Sequence, residues 1–161
     1  MKKALLLTTI GLSLSQLSYA DTFSTEVHNN KGEVIGQINF TDSNYGLLIQ
    51  PNLHNLPQGI HGFHIHEHPD CGEHGMKAGG HLDPAKTNSH QGPYGQGHLG
   101  DLPSLSIDAE GKTNTPLLAP RLKTSDIKGH AVMIHAGGDN YSDTPPLGGG
   151  GERIACGKIE S

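Results

Sequence analysis

The chain has 161 residues, with 11 Lys plus Arg against 16 Asp plus Glu, a formal charge of -5 and no Trp. That length suits one domain with its own core, and the lack of any basic stripe or run argues against a nucleic-acid partner. Its 23 glycines and 10 prolines favour a turn-rich fold over helices.

Residues 1–20 read as a secretory leader. Lys2 and Lys3 precede the apolar run Ala4 to Leu14, and Ser18-Tyr19-Ala20 offers small residues before Asp21. The apolar run is well short of the roughly 20 residues that span a bilayer, so no membrane anchor is expected after cleavage. Cleavage after Ala20 leaves 141 residues, 9 basic and 16 acidic, and a net charge of -7. Export implies an oxidising compartment, in which the only two cysteines, Cys71 and Cys156, are expected to pair.

From Asp21 the pattern is one of short strands between turns. Val34, Ile38 and Phe40 alternate with polar residues after Asn30-Lys31-Gly32, and Leu47 and Ile49 follow the turn at Asp42 to Gly46. Leu105 and Ile107 precede the turn Asp108-Ala109-Glu110-Gly111, with Thr113 to Leu118 returning from it. His130 to His135 and Arg153 to Ile159 complete the apolar runs. The expected class is all-β, a Greek-key sandwich or flattened barrel. Two long loops interrupt the rhythm, Glu67 to Pro103 and Ala136 to Gly151, and segments of that length are usually functional or disordered.

Ligand-type residues gather in and beside those loops. Seven of the 12 histidines lie between Gly62 and Asp101. In Gly62-Phe63-His64-Ile65-His66, strand alternation sends Phe63 and Ile65 into the core and turns His64 and His66 outward, side by side. Such a pair alone is weak evidence. His81, His90, His98 and Asp101 add a complete tetrahedral set acceptable to zinc, and His135 ends an apolar strand before the second loop. If one histidine served two metals, these seven would make an all-imidazole site suited to copper and a His3Asp site suited to zinc. Spacing alone does not say which histidine is shared.

Four motifs carry a resemblance: Gly62-Phe63-His64-Ile65-His66, Gly79-Gly80-His81-Leu82-Asp83-Pro84, Gly97-His98-Leu99-Gly100-Asp101-Leu102 and Gly149-Gly150-Gly151-Glu152-Arg153-Ile154-Ala155-Cys156-Gly157. In order and approximate spacing they resemble the exported bacterial copper/zinc superoxide dismutases, over residues 21–161. The resemblance implies an oxidoreductase that converts superoxide to oxygen and hydrogen peroxide in the periplasm, as a monomer or a homodimer. It implies copper on His64, His66, His81 and His135, and zinc on His81, His90, His98 and Asp101. His81 becomes the shared imidazolate, able to pass a proton to the departing peroxide. Arg153 becomes the clamp for the anion, although a strand-end arginine in a surface ion pair is the ordinary alternative. Asp139 resembles a carboxylate that links metal-bound imidazoles, and it competes with an Asx-turn role beside Asn140. Cys71 and Cys156 match the family's disulfide.

Lys77, in the loop after Cys71, is a candidate for steering the anion, or a solvated lysine. His61 and His130 have the wrong strand parity for the cluster, and His61 reads as a packed or hydrogen-bonded histidine. They remain unassigned with His28, His54, His68 and His74.

Overall fold

The computed structural model describes residues 21–161; the leader expected over residues 1–20 lies outside the described residues. Among the described residues nine strands form: β1 (Thr22–Asn29), β2 (Val34–Ser43), β3 (Gly46–Leu53), β4 (Gly59–His61), β5 (Phe63–His66), β6 (Leu105–Ile107), β7 (Leu117–Ala119), β8 (Ala131–His135) and β9 (Arg153–Lys158). One short helix, α1 (Thr124–Ile127), buries Thr124 and Ile127. The all-β expectation therefore holds. Seven strands make one antiparallel sheet in the order β5-β8-β9-β1-β2-β3-β7, which curls into a half-barrel, and β4 pairs with β6.

The core follows from strand alternation. Val27, Ile38, Phe40, Ile49, Phe63, Ile65, Val132 and Ile134 are all buried in one cluster. Each such side chain contributes about 1.5–3 kcal/mol by leaving water. Alternation fails at the start of β2, where Ile35 is buried and Val34 is 49% exposed. The register explains this: Val27 faces Gly36 but His28 faces Val34, so β2 carries a bulge. Gly36 sits at φ +124, with Asn52 O 2.1 Å from where a Cβ would lie, so only glycine fits there.

The run after the Asp108–Gly111 turn also differs from expectation. It does not pair back on β6. Thr113 bridges to Leu53, and β7 pairs with β3.

The site depends on how the first long loop returns to β5. Ile65 N–H donates to Gly100 O (2.8 Å), Leu82 N–H to Ile65 O (2.8 Å), Glu67 N–H to Gly80 O (3.1 Å) and Leu102 N–H to Phe63 O (3.3 Å). Gly100 has no room for a side chain, because Ile65 O lies 2.2 Å from its Cβ position. The loop is thus stitched to β5 on one side while β8 pairs with it on the other. His64 and His66 keep the parity expected of them, opposite to Phe63 and Ile65. Both are nonetheless fully buried, because the loops roof over that face of the sheet.

Candidate metal centre

Seven ligand-type residues meet under that roof: His64, His66, His81, His90, His98, Asp101 and His135 are all buried. β5 supplies His64 and His66, the end of β8 supplies His135, and the stitched loop supplies the others. The His64 and His81 rings stack with centroids 3.9 Å apart. Two compact donor groups result, His64/His66/His81/His135 and His64/His81/His90/Asp101, each with one ligand atom per residue within 4.8 Å of the rest. His98 falls outside the second group, yet its Nδ1 lies 3.4 Å from Asp101 Oδ1. His64 enters that group through its stacking on His81.

Four of the rings are held by one nitrogen. His64 Nε2 donates to Asp139 Oδ2 (2.7 Å), His66 Nδ1 to Gly79 O (3.0 Å), His90 Nε2 to Asp139 Oδ1 (2.8 Å) and His135 Nδ1 to Gly151 O (3.2 Å). Because carbonyls and carboxylates only accept, these bonds fix the tautomer. The opposite nitrogen then carries a lone pair. Among the described residues, the buried ring nitrogens left without a hydrogen-bond partner are His64 Nδ1, His66 Nε2, His81 Nε2, His90 Nδ1, His98 Nδ1 and His135 Nε2.

Six unpartnered buried nitrogens in one place are costly unless something binds them. Asp101 Oδ1 lies 3.0 Å from both His81 Nδ1 and His90 Nδ1 and 3.4 Å from His98 Nδ1. Donors about 2.0–2.1 Å from a tetrahedral ion stand about 3.3 Å apart, so these spacings fit a zinc site.

Charge separates the groups. Burial pushes His64 down to about 3, His66 to about 2 and His135 to about 4, and it lowers His81 as well. These rings are neutral at physiological pH and ready to ligate. Burial acts on His90 in the same direction, but the carboxylates of Asp101 and Asp139 beside it outweigh that and raise it to about 9. Burial opposes ionisation of Asp101 and Asp139, yet their histidine partners hold both carboxyls well below the usual range.

Asp139 joins His64 to His90 and also accepts from Tyr141 N–H (2.8 Å), so the linking geometry and the Asx turn coexist. Arg153, at the start of β9, donates through Nη1 to Gly75 O and through Nη2 to Gly79 O (2.7 Å). It lines, with His81 and His135, a cavity of about 260 Å3 that leads to the first donor group. Cys71 and Cys156 form a disulfide, Cα atoms 5.8 Å apart, fastening the loop that holds Gly75 and Gly79 to Arg153's own strand. Lys77 pairs with Glu73 at 3.5 Å on the surface.

Another cavity, of about 390 Å3, lies elsewhere, along Cys71, Cys156, His28 and His74. It contains none of the clustered ligands.

Two further residues support the site. His61 is buried, with Nδ1 2.7 Å from His135 O and Nε2 2.9 Å from Pro57 O, so it steadies the strand end that carries His135. Arg121 donates to Pro93 O (3.2 Å), Gly97 O (3.1 Å) and His98 O, clamping the loop around His98. Parity had His61 facing away from the cluster as a packed or hydrogen-bonded histidine, and it is both buried and hydrogen-bonded; nothing local marks Arg121.

The family model for copper/zinc superoxide dismutase (SODC) matches residues 34–159. The chain belongs to the copper/zinc superoxide dismutase family. A superoxide dismutase [Cu-Zn] of Legionella pneumophila is 57% identical over 148 residues, covering 91% of each chain. The solved Cu/Zn superoxide dismutase of Brucella abortus is 44% identical with a TM-score of 0.84, covering 87% of this chain and all of the other. The monomeric copper, zinc superoxide dismutase of Salmonella enterica, solved in solution, is 45% identical with a TM-score of 0.76, covering 87% and 100%.

Proposed function

We propose that this family member dismutes superoxide to oxygen and hydrogen peroxide, holding copper on His64, His66, His81 and His135 and zinc on His81, His90, His98 and Asp101. The observation that carries this reading is the set of six unpartnered buried ring nitrogens around His81. His98, rather than His64, completes the zinc set. One lone pair on His64 serves one metal, whereas His98 Nδ1 converges with His81 and His90 on the same carboxylate oxygen.

Bound copper supplies a one-electron redox couple, and zinc, which has no redox chemistry, supplies a fixed charge that orders the loop. The protein supplies the rest. Arg153 spends two of its five N–H donors on the carbonyls of Gly75 and Gly79 and keeps the others for the anion in the cavity. Its fork and permanent charge suit a small diatomic anion better than a lysine ammonium would. His81 can hold a proton at Nε2 when that lone pair is not engaged and give it to the departing peroxide. Asp101, 3.0 Å from its Nδ1, would share the zinc with it and so keep the ring in place. Asp139 orients His64 and His90 together, so both sites share one anchor.

The disulfide and the leader-like residues 1–20 support a periplasmic location. The likeness to the monomeric Salmonella protein supports a monomer, and sedimentation at the mass of two chains would contradict it.

The test is metal analysis of residues 21–161 coupled to a dismutation assay before and after copper removal. Activity is expected to vanish with copper and return on its restoration. Activity that survives with zinc alone sinks the mechanism, and full binding of both metals without turnover favours a metal-storage role.

A further inference from the structure

The cavity that leads to the first donor group is walled by Met76, His81, His135, Leu147, Glu152 and Arg153. The two histidines and Arg153 have roles in the proposed chemistry; Met76 and Glu152 have none. Met76 is 62% exposed at the start of a short 3-10 turn, so its thioether is committed to no core. The Glu152 backbone is fixed by Ala136 N–H donating to its carbonyl at 2.7 Å, while its side chain is exposed and makes no hydrogen bond or ion pair among the described residues.

For superoxide this lip is unfavourable. A free carboxylate repels the anion and offsets part of the attraction from the neighbouring Arg153. A cation meets the same lip as an attraction. The opening reaches two members of the first donor group, His81 and His135, and so offers a metal ion a route in; cuprous ion is soft, held well by thioether and imidazole and poorly by the oxygen ligands that suit hard cations. Directly behind the lip are His81 Nε2 and His135 Nε2, unpartnered on residues only 4% and 5% exposed.

We propose that Met76 and Glu152 form an entry station for cuprous ion. Glu152 concentrates the cation at the mouth, the Met76 thioether becomes its first protein ligand, and the ion passes inward by ligand exchange to His135 and its partners. No electron moves, and the copper stays in the +1 state. This rests on the reading that His64, His66, His81 and His135 hold copper.

The test uses zinc-loaded, copper-free protein under anaerobic conditions, with copper(I) offered on a chromophoric bicinchoninate complex and transfer followed by loss of its absorbance. Met76→Leu keeps the bulk and removes the sulfur. It is expected to slow copper(I) transfer several-fold, leave copper(II) loading unchanged and reach the wild-type final stoichiometry. Glu152→Gln is expected to slow both ions at low salt and neither at high salt, where screening removes the attraction. Copper(I) loading of Met76→Leu at the wild-type rate overturns the proposal and makes Met76 merely an apolar lip beside Leu147. Wild-type protein that takes up no copper, or a His135→Ala variant that takes it up unaltered, overturns the underlying copper assignment instead.

Discussion

Asp139→Asn is the change that most directly separates one shared anchor from two independent sites. The carboxylate is fully buried and accepts from His64 Nε2 at 2.7 Å and His90 Nε2 at 2.8 Å. Asparagine keeps one acceptor oxygen and places an amide N–H where the second stood, so one imidazole N–H meets another donor. A hydrogen bond to a charged group contributes about 1.5–3 kcal/mol. Losing one and weakening the other reaches the cost of disturbing the partners of metal-bound imidazoles, about 10- to 100-fold in affinity. Because the proposed copper set includes His64 and the proposed zinc set His90, both affinities are expected to fall by that factor. Chelator competition for each metal reads them separately, and circular dichroism checks that the sheet is intact. Unchanged affinity for both metals refutes the reasoning, and a loss confined to one contradicts a shared anchor.

Replacing Cys71 and Cys156 together with serine is expected to cost about 4 kcal/mol in urea unfolding, from a bridge that spans 85 residues of sequence separation; an unchanged midpoint would contradict this. Arg121→Ala is expected to weaken zinc about tenfold while leaving copper nearly untouched, since its three bonds reach only carbonyls of the loop that carries the proposed zinc ligand His98, and equal losses for the two metals would count against that. Metal-free protein should be most stable near neutral pH. The low folded values of His64, His66 and His135, about 3, 2 and 4, mean that the unfolded chain binds more protons below about 6.5. Stability then falls with acidification, by up to about 1.4 kcal/mol per pH unit for each. His90, raised to about 9, has the opposite sign: its contribution is complete below about 6.5 and is lost as pH rises through 9. Urea midpoints that rise steadily from pH 4 to 9 would be inconsistent with these shifts.

What was legible in the sequence was local. The H-x-H alternation and the order of His81, His90, His98 and Asp101 involve residues whose relation is set by a strand period or a short loop. Burial of His64 and His66 was not legible, because it depends on a loop folding back from residues some 15 to 35 positions later in the chain. The bulge that exchanges Val34 for Ile35 arises from pairing with β1, so alternation within β2 alone misassigns them. The same holds for β7, whose partner is β3 and not the strand across its own turn. Arg121 acts through backbone carbonyls 23 to 28 residues away, and carbonyls carry no residue-type signal.

The central claim is that one imidazole, His81, serves two metals. Diffraction from the fully metallated protein at the copper and zinc absorption edges tests it most directly. The account predicts a copper peak bonded to His64 Nδ1, His66 Nε2, His81 Nε2 and His135 Nε2, and a zinc peak bonded to His81 Nδ1, His90 Nδ1, His98 Nδ1 and Asp101. Two peaks that share no ligand, or a copper peak bonded to His90 or His98, would contradict it.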